Sequence, residues 1–366
     1  MHAVPELARA DGEDFVAAGG WAGVLGRLFS GDDLDVAQAR AAFEEILSGR
    51  STPSQIAAFA AALRTKGESV DELTGFVSAM RAYGEPVTVG HDAIDTCGTG
   101  GDRHGTVNVS TLAALVAVAA GAVVLKHGGR AASSRAGSAD VLEALGVAVD
   151  LGPDGVARCV AEAGMGFCLA TRYHPAMRHA APVRRELGVG TVFNVLGPLV
   201  NPGRVRRQVV GVGDAAMAER MLGVLEAGGA VHVMVVHGRD GLDELSTTAP
   251  TDVLELVVDP DGRSHRRRYV VDPGELGLAP ADLASLRGGD PAENARYGRE
   301  ILAGGLGPRR DIVALNAAAA LVVAGRAADL AEGLERAVAA LDSGAAERVL
   351  DRLVAVSVAA ASPGPC

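Results

Sequence analysis

The residues best suited to chemistry lie between Asp95 and Arg135. This stretch opens with Asp95-Thr96-Cys97-Gly98-Thr99-Gly100-Gly101-Asp102 and continues through Asn108-Val109-Ser110-Thr111. After an alanine- and valine-rich segment come the short apolar strand Val123-Val124-Leu125 and the loop Lys126-His127-Gly128-Gly129-Arg130-Ala131-Ala132-Ser133-Ser134. Gly98, Gly100 and Gly101 remove side chains where a backbone must lie against an anion, and they tolerate positive φ. The N–H groups of such a turn form an anion-binding nest. Asn108, Ser110 and Thr111 precede the helical run Leu112–Ala120, where their side chains and free N–H groups can cap the helix and face a phosphate together. Lys126 adds a point charge at a strand end. The stretch reads as two phosphate-holding loops joined by one helix. A glycine pair after a strand is more often an ordinary turn, and a Ser-Thr pair before a helix is usually only a cap. Two glycine-rich loops at the ends of successive strands are harder to explain that way. No Gly-Lys-Ser/Thr closes the first loop, so it is not a P-loop, and it lacks the Rossmann Gly-x-Gly-x-x-Gly spacing.

A second candidate is Asp243-Glu244, in the loop after the apolar run Val231–Val236. Most acidic pairs in loops are simply solvated. This one lies beyond the carboxyl end of a strand, where ligand loops of an α/β sheet gather. His127 and His174 are candidate proton acceptors, and equally candidate structural hydrogen-bonders.

The elements that must position these residues follow from the periodicity. From Val24 to Tyr83 the pattern is helical, with Val36, Ala39, Phe43, Ile46 and Leu47 on one face. Thr52-Pro53-Ser54-Gln55 is a capping box with proline at the first helical position. Asp71 to Ala82 gives another amphipathic helix, and Gly84-Glu85-Pro86 ends the helical run. Helices are expected over Ala139–Leu145, Pro153–Ala163, Ala180–Leu187, Ala215–Ala227, Asp311–Val323, Ala328–Leu341 and Ala345–Val356. Strands are expected at Val147–Val149, Phe167–Ala170, Gln208–Val212 and Val231–Val236, the last an apolar run of the parallel-sheet kind. Thr251–Val258 and His265–Val271 look like a more polar, antiparallel pair. Strands alternating with helices predict a mostly parallel α/β sheet. The expected division is a flexible tail over 1–22, a helical domain over 23–88 joined by part of 176–205, and an α/β domain over 89–357.

The bulk properties narrow the function. Among 366 residues, 48% are hydrophobic but only 3% aromatic, so the core must be built from Ala, Val and Leu. A net charge of −11 argues against a nucleic-acid-coating surface, although a local pocket can still be positive. Cys97, Cys159, Cys168 and Cys366 show no metal or redox spacing, and reduced, cytoplasmic thiols are the simplest reading. The N-terminal stretch is not built as a signal peptide. The longest apolar run, Leu112–Leu125, is too short for a membrane span and is interrupted by Gly121.

Several motifs together resemble the anthranilate phosphoribosyltransferase family. They are the GTGGD loop, the Asn108-Val109-Ser110-Thr111 helix start, the Lys126–Arg130 loop with Ser133-Ser134, and Gly241-Leu242-Asp243-Glu244. His174-Pro175-Ala176-Met177-Arg178-His179, Val183-Arg184-Arg185-Glu186-Leu187-Gly188 and Phe193-Asn194-Val195-Leu196-Gly197-Pro198-Leu199 belong with them. The resemblance covers Val24 to Val356, and the ordered set is specific where any one motif is weak. It implies a helical lobe with a larger α/β lobe, a homodimer, and phosphoribosyl transfer from phosphoribosyl pyrophosphate to anthranilate. Gly98, Gly101, Asp102, Thr106, Asn108, Val109, Ser110 and Thr111 would hold the donor. So would Lys126, His127, Gly128, Gly129, Arg130, Ala131, Ala132, Ser133, Ser134 and Ser138. Ser110, Asp243 and Glu244 would coordinate Mg2+. Gly98, Gly129 and Arg184 would meet the acceptor, Arg184 through a bidentate bond to its carboxylate. Lys126, with the metal held by Asp243 and Glu244, would stabilise charge on the leaving pyrophosphate.

Two positions depart from the family pattern. Gly129 stands where an asparagine that touches the acceptor is usual, and Gly190 where an arginine is usual. Both changes bear on the acceptor and spare the donor. They leave open a transferase or phosphorylase of the same fold acting on another aromatic or nucleobase acceptor. A non-catalytic nucleic-acid-binding homologue is the remaining alternative, opposed by the acidic balance and the intact Asp243-Glu244 pair.

Overall fold

A computed structural model describes residues 12–90, 93–100, 104–131 and 135–362. Seven strands form one sheet: β1 Ala93–Gly98, β2 Val123–Gly128, β3 Met165–Leu169, β4 Arg207–Gly211, β5 His232–Gly238, β6 Thr251–Val258 and β7 Ser264–Val271. Their spatial order is β3-β2-β1-β4-β5-β6-β7. Strands β1 to β5 are parallel, and β6 and β7 add antiparallel at one edge. This is the mostly parallel sheet that the alternation of strands and helices predicts.

Period-two alternation sends successive side chains to opposite faces. Val209, Met234 and Val236 belong to one core, packed with the helices Val109–Ala119, Pro308–Val323, Leu330–Asp342 and Ala345–Ala361. Val210, Val233 and Val235 belong to a second core. That second core continues into the N-terminal helices Val36–Leu47, Pro53–Lys66 and Val70–Tyr83, so the sheet is a wall between two apolar volumes. Val183, Val192, Phe193 and Leu196, from the middle of the chain, also join it. Short aliphatic residues do most of the filling, and the aromatic residues concentrate in the helical part: Phe43 packs on Phe76 and Phe193, and Phe59 on Phe76.

The helix starts are written locally. Thr52 accepts from Gln55 N at 3.3 Å while the Gln55 side chain accepts from Thr52 N at 2.9 Å, as the capping box requires. Asp35 and Ser69 build equivalent boxes.

Several expectations fail, each for a physical reason. Residues 12–22 are not a tail: Glu13–Ala17 and Gly20–Phe29 are helical, and Trp21 makes edge contacts with Phe15 and Phe59. Val147–Val149 is no strand. Val147 and Val149 are buried in loop conformation, and Ala148 N donates to Ser357 Oγ at 3.0 Å instead of to a neighbouring strand. Lys126, His127 and Gly128 are not loop residues but the end of β2, paired with Phe167, Cys168 and Leu169 of β3. The helix Pro291–Leu302 forms where periodicity predicts none, although Asp290-Pro291-Ala292-Glu293 repeats the capping signal seen at Thr52. Among the described residues, no helix is long and apolar enough to cross a membrane.

Candidate functional site

Strand β1 lies between β2 and β4, so the chain winds away on both sides of it, and the crevice at its carboxyl end is the topological switch point where such sheets take ligands. Two glycines make room there. A Cβ on Gly98, the last residue of β1, would lie 2.3 Å from Asp243 Oδ2. A Cβ on Gly211, at the end of β4, would lie 1.6 Å from the Asp243 carbonyl oxygen. The acidic loop therefore sits directly across the ends of β1 and β4. Gly211 does not stand out in the sequence, since a glycine closing a strand carries no signal until its neighbour is known.

The acidic pair meets the anion-binding backbone. Gly100 N donates to Asp243 Oδ2 at 2.8 Å, and Ser110 N, in the first turn of the helix Val109–Ala119, donates to Glu244 Oε1 at 3.2 Å. Below the loop, Asn316 clamps Leu245: its Oδ1 accepts from Leu245 N and its Nδ2 donates to Leu245 O, both at 2.9 Å. Upstream, Asp240 accepts from Leu242 N at 3.2 Å and from the hydroxyls of Ser246 and Thr248. The two carboxylates are thus held by a pre-shaped turn.

Lys126 is 2% exposed, and its ammonium donates to the Thr96 carbonyl and, at 3.2 Å, to Ser110 Oγ. It is a buried charge beneath the site, near the end of β2. Its neighbour Asp95 is fully buried, and accepts from Asn201 Nδ2 at 2.8 Å and from His127 N at 3.3 Å. Desolvation pushes the Asp95 carboxyl above the usual carboxylate range, against the opposing pull of Lys126 and Asn201. Asp95 and Asn201 are supports that sequence reasoning does not assign. The available signal was an ionisable residue inside an otherwise apolar strand.

His127 and His174 pack edge to face, ring centroids 5.1 Å apart. His127 Nδ1 lies 2.9 Å from Gly197 O and His174 Nε2 lies 2.9 Å from Val200 O, so those nitrogens carry the protons. Burial lowers His127 to about 3 and His174 to about 4, helped at His127 by the neighbouring histidine and Lys126. Both are neutral at pH 7, which fits structural hydrogen-bonders.

The second loop is tied to the helix Ser138–Ala144. Asp140 accepts from Ala131 N and Gly137 N, each at 2.9 Å, and Ser138 Oγ donates to Gly129 O at 3.3 Å. Desolvation raises the Asp140 carboxyl, but these backbone bonds and Arg130 outweigh it, and the net shift is downward. The Arg130 guanidinium turns onto Asp140 and Glu143 at 3.1 and 2.5 Å. A Cβ on Gly128 would lie 2.2 Å from Ser138 Oγ, so this glycine is required by close approach.

Asn108 occupies the N-cap position of the helix Val109–Ala119 but its side chain makes no capping bond. Instead it donates to Ala136 O at 3.2 Å. Val109 and Thr111 are buried, and their N–H groups bond to Val107 O and Asn108 O at 2.6 and 3.2 Å. The expected row of free N–H groups and capping side chains is therefore reduced, with Ser110 the half-buried member of the trio 109–111. Thr106 forms an isolated antiparallel bridge with Arg287. Gly101, Asp102, Ala132, Ser133 and Ser134 lie outside the described residues.

Arg184 stands apart from this network. It lies in the helix Ala181–Leu187, its guanidinium 5.8 Å from the centroid of the Phe193 ring. Burial lowers its pKa from the ordinary arginine value, and among the described residues it forms no ion pair. Arg185, beside it, is exposed. Gly129 is half-buried, and a Cβ there would lie 3.7 Å from Ala170 Cβ, an ordinary contact. At Gly190 nothing lies within 4 Å of such a Cβ.

No trio of His, Cys, Asp and Glu among the described residues gathers to hold a metal unaided. Two adjacent carboxylates beside a serine hydroxyl fit an oxygen-seeking ion that completes its shell with substrate phosphate.

Residues 22–84 match the helical bundle domain of the glycosyl transferase family and residues 90–347 its a/b domain. Anthranilate phosphoribosyltransferase of Thermomicrobium roseum is 53% identical over 340 residues, covering 92% of this chain and 97% of the relative. The crystal structure of the Thermus thermophilus enzyme superposes with a TM-score of 0.84 at 43% identity, over 92% of this chain and 99% of that one. The Saccharomyces cerevisiae enzyme, solved with phosphoribosyl pyrophosphate and magnesium, gives a TM-score of 0.83 at 26% identity, over 93% of this chain and 98% of that one. The same yeast enzyme has been solved with 4-fluoroanthranilate. With its fold, both domain matches and a relative of this identity along nearly its whole length, the chain belongs to the anthranilate phosphoribosyltransferase family.

Proposed function

We infer that this protein transfers the 5-phosphoribosyl group of phosphoribosyl pyrophosphate to the amine of anthranilate, giving N-(5-phosphoribosyl)anthranilate and pyrophosphate in tryptophan biosynthesis. The observation that carries the reading is the convergence at one crevice of Asp243 and Glu244 with the N–H groups of Gly100 and Ser110. Carboxylates that suit a metal thus lie against backbone amides of the glycine-rich loop and of a helix N-terminus. The relatives described above support the donor, the ion and the aromatic acceptor.

In the reaction, the aniline nitrogen forms a bond to C1 of the ribose as the C1–oxygen bond to pyrophosphate breaks. The electron pair leaves with the pyrophosphate oxygen, and the nitrogen sheds one proton. The amine is neutral at pH 7, so no proton need leave before attack. The demands are alignment and stabilisation of charge on the leaving group. Asp243, Glu244 and Ser110 are the proposed magnesium ligands, and the bound ion would neutralise charge on the departing pyrophosphate. Lys126 acts from below, its ammonium orienting the Ser110 hydroxyl. The proposed donor cradle is Gly98, Gly101, Asp102, Thr106, Asn108–Thr111 and Lys126–Ser134, with Ser138. Arg184, desolvated and without an ion pair among the described residues, is the proposed partner of the anthranilate carboxylate. His127 and His174, at about 3 and about 4, are too weakly basic to hold the released proton at neutral pH.

We also propose a cytoplasmic homodimer associating through the helical lobe. Exposed Val16 and Phe29 on its outermost helices, and the buried free thiols of Cys97, Cys159 and Cys168, favour this. Light scattering of the intact protein tests the association.

Incubation with phosphoribosyl pyrophosphate, magnesium and anthranilate, with product identification by mass spectrometry, tests donor, acceptor and bond formed at once. Absence of the N-ribosylated product with intact enzyme would refute the assignment. A second reading, a different aromatic acceptor, draws on the missing side chain at Gly129 and the open space at Gly190. A panel of aromatic amines and nucleobases in the same assay separates the two.

A further inference from the structure

The two glycine-rich loops are braced by a segment far along the chain. Residues 286–288 lie against 105–107: Val107 N donates to Leu286 O at 3.0 Å, Gly288 N donates to Gly105 O at 2.9 Å, and Thr106 bridges Arg287. The contact is tight. A Cβ on Gly288 would lie 2.4 Å from Asn294 Oδ1 and 2.9 Å from Thr106 O. Asn294, in the helix Pro291–Leu302, is 3% exposed and stands at the centre of this brace.

Its amide has one possible orientation. Gly289 N, which can only donate, gives its proton to Asn294 Oδ1 at 2.7 Å. Asn294 Nδ2 must therefore donate, and it does so to Asn108 Oδ1 at 2.9 Å. Asn108 Nδ2 is then turned to donate to Ala136 O at 3.2 Å. One backbone N–H thus fixes the polarity of two side-chain amides in series. Asn108 itself joins the first loop to residue 136 of the second, and Asn294, on a helix that belongs to neither loop, sets the direction of that link from behind.

We propose that Asn294 is a positioning residue for the phosphoribosyl donor, setting the Asn108 amide and the spacing of the two loops without touching substrate. This inference rests on the donor-site reading above.

Steady-state kinetics with each substrate varied, on full-length protein, test it. Asn294→Asp keeps an acceptor for Gly289 N but offers no proton to Asn108. It should raise the KM for phosphoribosyl pyrophosphate about tenfold, the scale of one lost buried hydrogen bond, and leave the anthranilate KM within about twofold. Asn108→Ala should do the same, and Asn108→Ala/Asn294→Ala should be no worse than Asn108→Ala alone. Gly288→Ala, which keeps every bonding group but crowds the Asn294 amide, should give a smaller shift of the same kind, and it serves if the Asn294 variants fold poorly. If Asn108→Ala raises the donor KM and neither Asn294→Asp nor Gly288→Ala does, the inference falls while the donor site stands. Equal effects on both substrates, or additive losses in the double variant, also overturn it. An unchanged donor KM in Asn108→Ala removes the donor-site reading and the inference together.

Discussion

The groups proposed for the donor and those proposed for the acceptor are built on opposite principles. On the donor side nearly every polar group already has a partner: Lys126 with Thr96 and Ser110, Asp243 with Gly100, Glu244 with Ser110, Asn108 with Ala136 and Asn294. Among the groups proposed for the acceptor, Arg184 is partly desolvated without an ion pair among the described residues, and Gly129 and Gly190 present no side chains. The difference suits the ligands. A multiply charged donor is held by preorganised dipoles that cost nothing to reorient when it reacts. A small aromatic acid needs one planar fork and room for a ring. On the proposed assignment, specificity for the donor is distributed over many groups, and specificity for the acceptor is concentrated in a few.

That contrast can be broken by substitution, and the largest effect belongs to the acidic pair. Asp243→Asn with Glu244→Gln should reduce turnover at least about a thousandfold while the thermal unfolding midpoint stays near that of the parent. Retained turnover would remove these residues as metal ligands. Lys126→Met is expected to lower kcat about a hundredfold and to destabilise the fold, because the buried Thr96 carbonyl loses its donor and Asp95 loses the nearby positive charge. A variant of full stability would mean that Asn201 and the His127 N–H hold Asp95 without Lys126. Arg184→Ala should raise the acceptor KM about ten- to a hundredfold and leave the donor KM unchanged, the range expected for a lost charge-assisted pair. An equal rise for both substrates would take Arg184 out of the acceptor site.

A fourth expectation concerns pH and the histidine pair. His127 and His174 have folded pKa values of about 3 and about 4, below the ordinary 6.5. The unfolded chain therefore binds more protons below pH 6.5, and stability should be complete above that value and fall as pH drops towards 4. Unfolding midpoints measured between about pH 7 and about pH 4 should show this loss, with a shallower slope in His127→Asn. An identical slope would place the acid sensitivity elsewhere. The smallest effect is expected at Gly129. Gly129→Asn meets no clash and no positive φ, so stability should change by less than about 0.5 kcal/mol. Restoring the family side chain should lower the anthranilate KM about two- to tenfold. An unchanged KM would show that acceptor recognition here has moved to other groups.

Much of this is legible in the residues. The capping boxes at Asp35, Thr52 and Ser69, the apolar run of β5 and the polar hairpin of β6 and β7 are local patterns, and each forms where its residues direct. The glycine bend at Gly98 and the Asp243-Glu244 pair can be singled out because their chemistry is visible in a few letters. The helix at Pro291 carries the same kind of capping signal but too weak an apolar period to stand out, and Asn294 is hidden with it. The short run at Val147 suggests a strand only because three apolar residues fit a buried loop equally well.

What local pattern cannot supply is the partner of a buried polar group. Asn294 meets Asn108 across 186 positions, Asp243 meets Gly100 across 143, and Asp95 meets Asn201 across 106. Sequence by itself determined the periodicities, the caps and the glycine bends, since these depend on neighbours a few residues away. Tertiary structure alone decided that Lys126 is buried, that Gly211 must lack a side chain and that Asn108 serves a brace and not a cap. Those outcomes depend on which distant segment arrives to accept a proton or fill a space, and packing of the whole chain sets that choice.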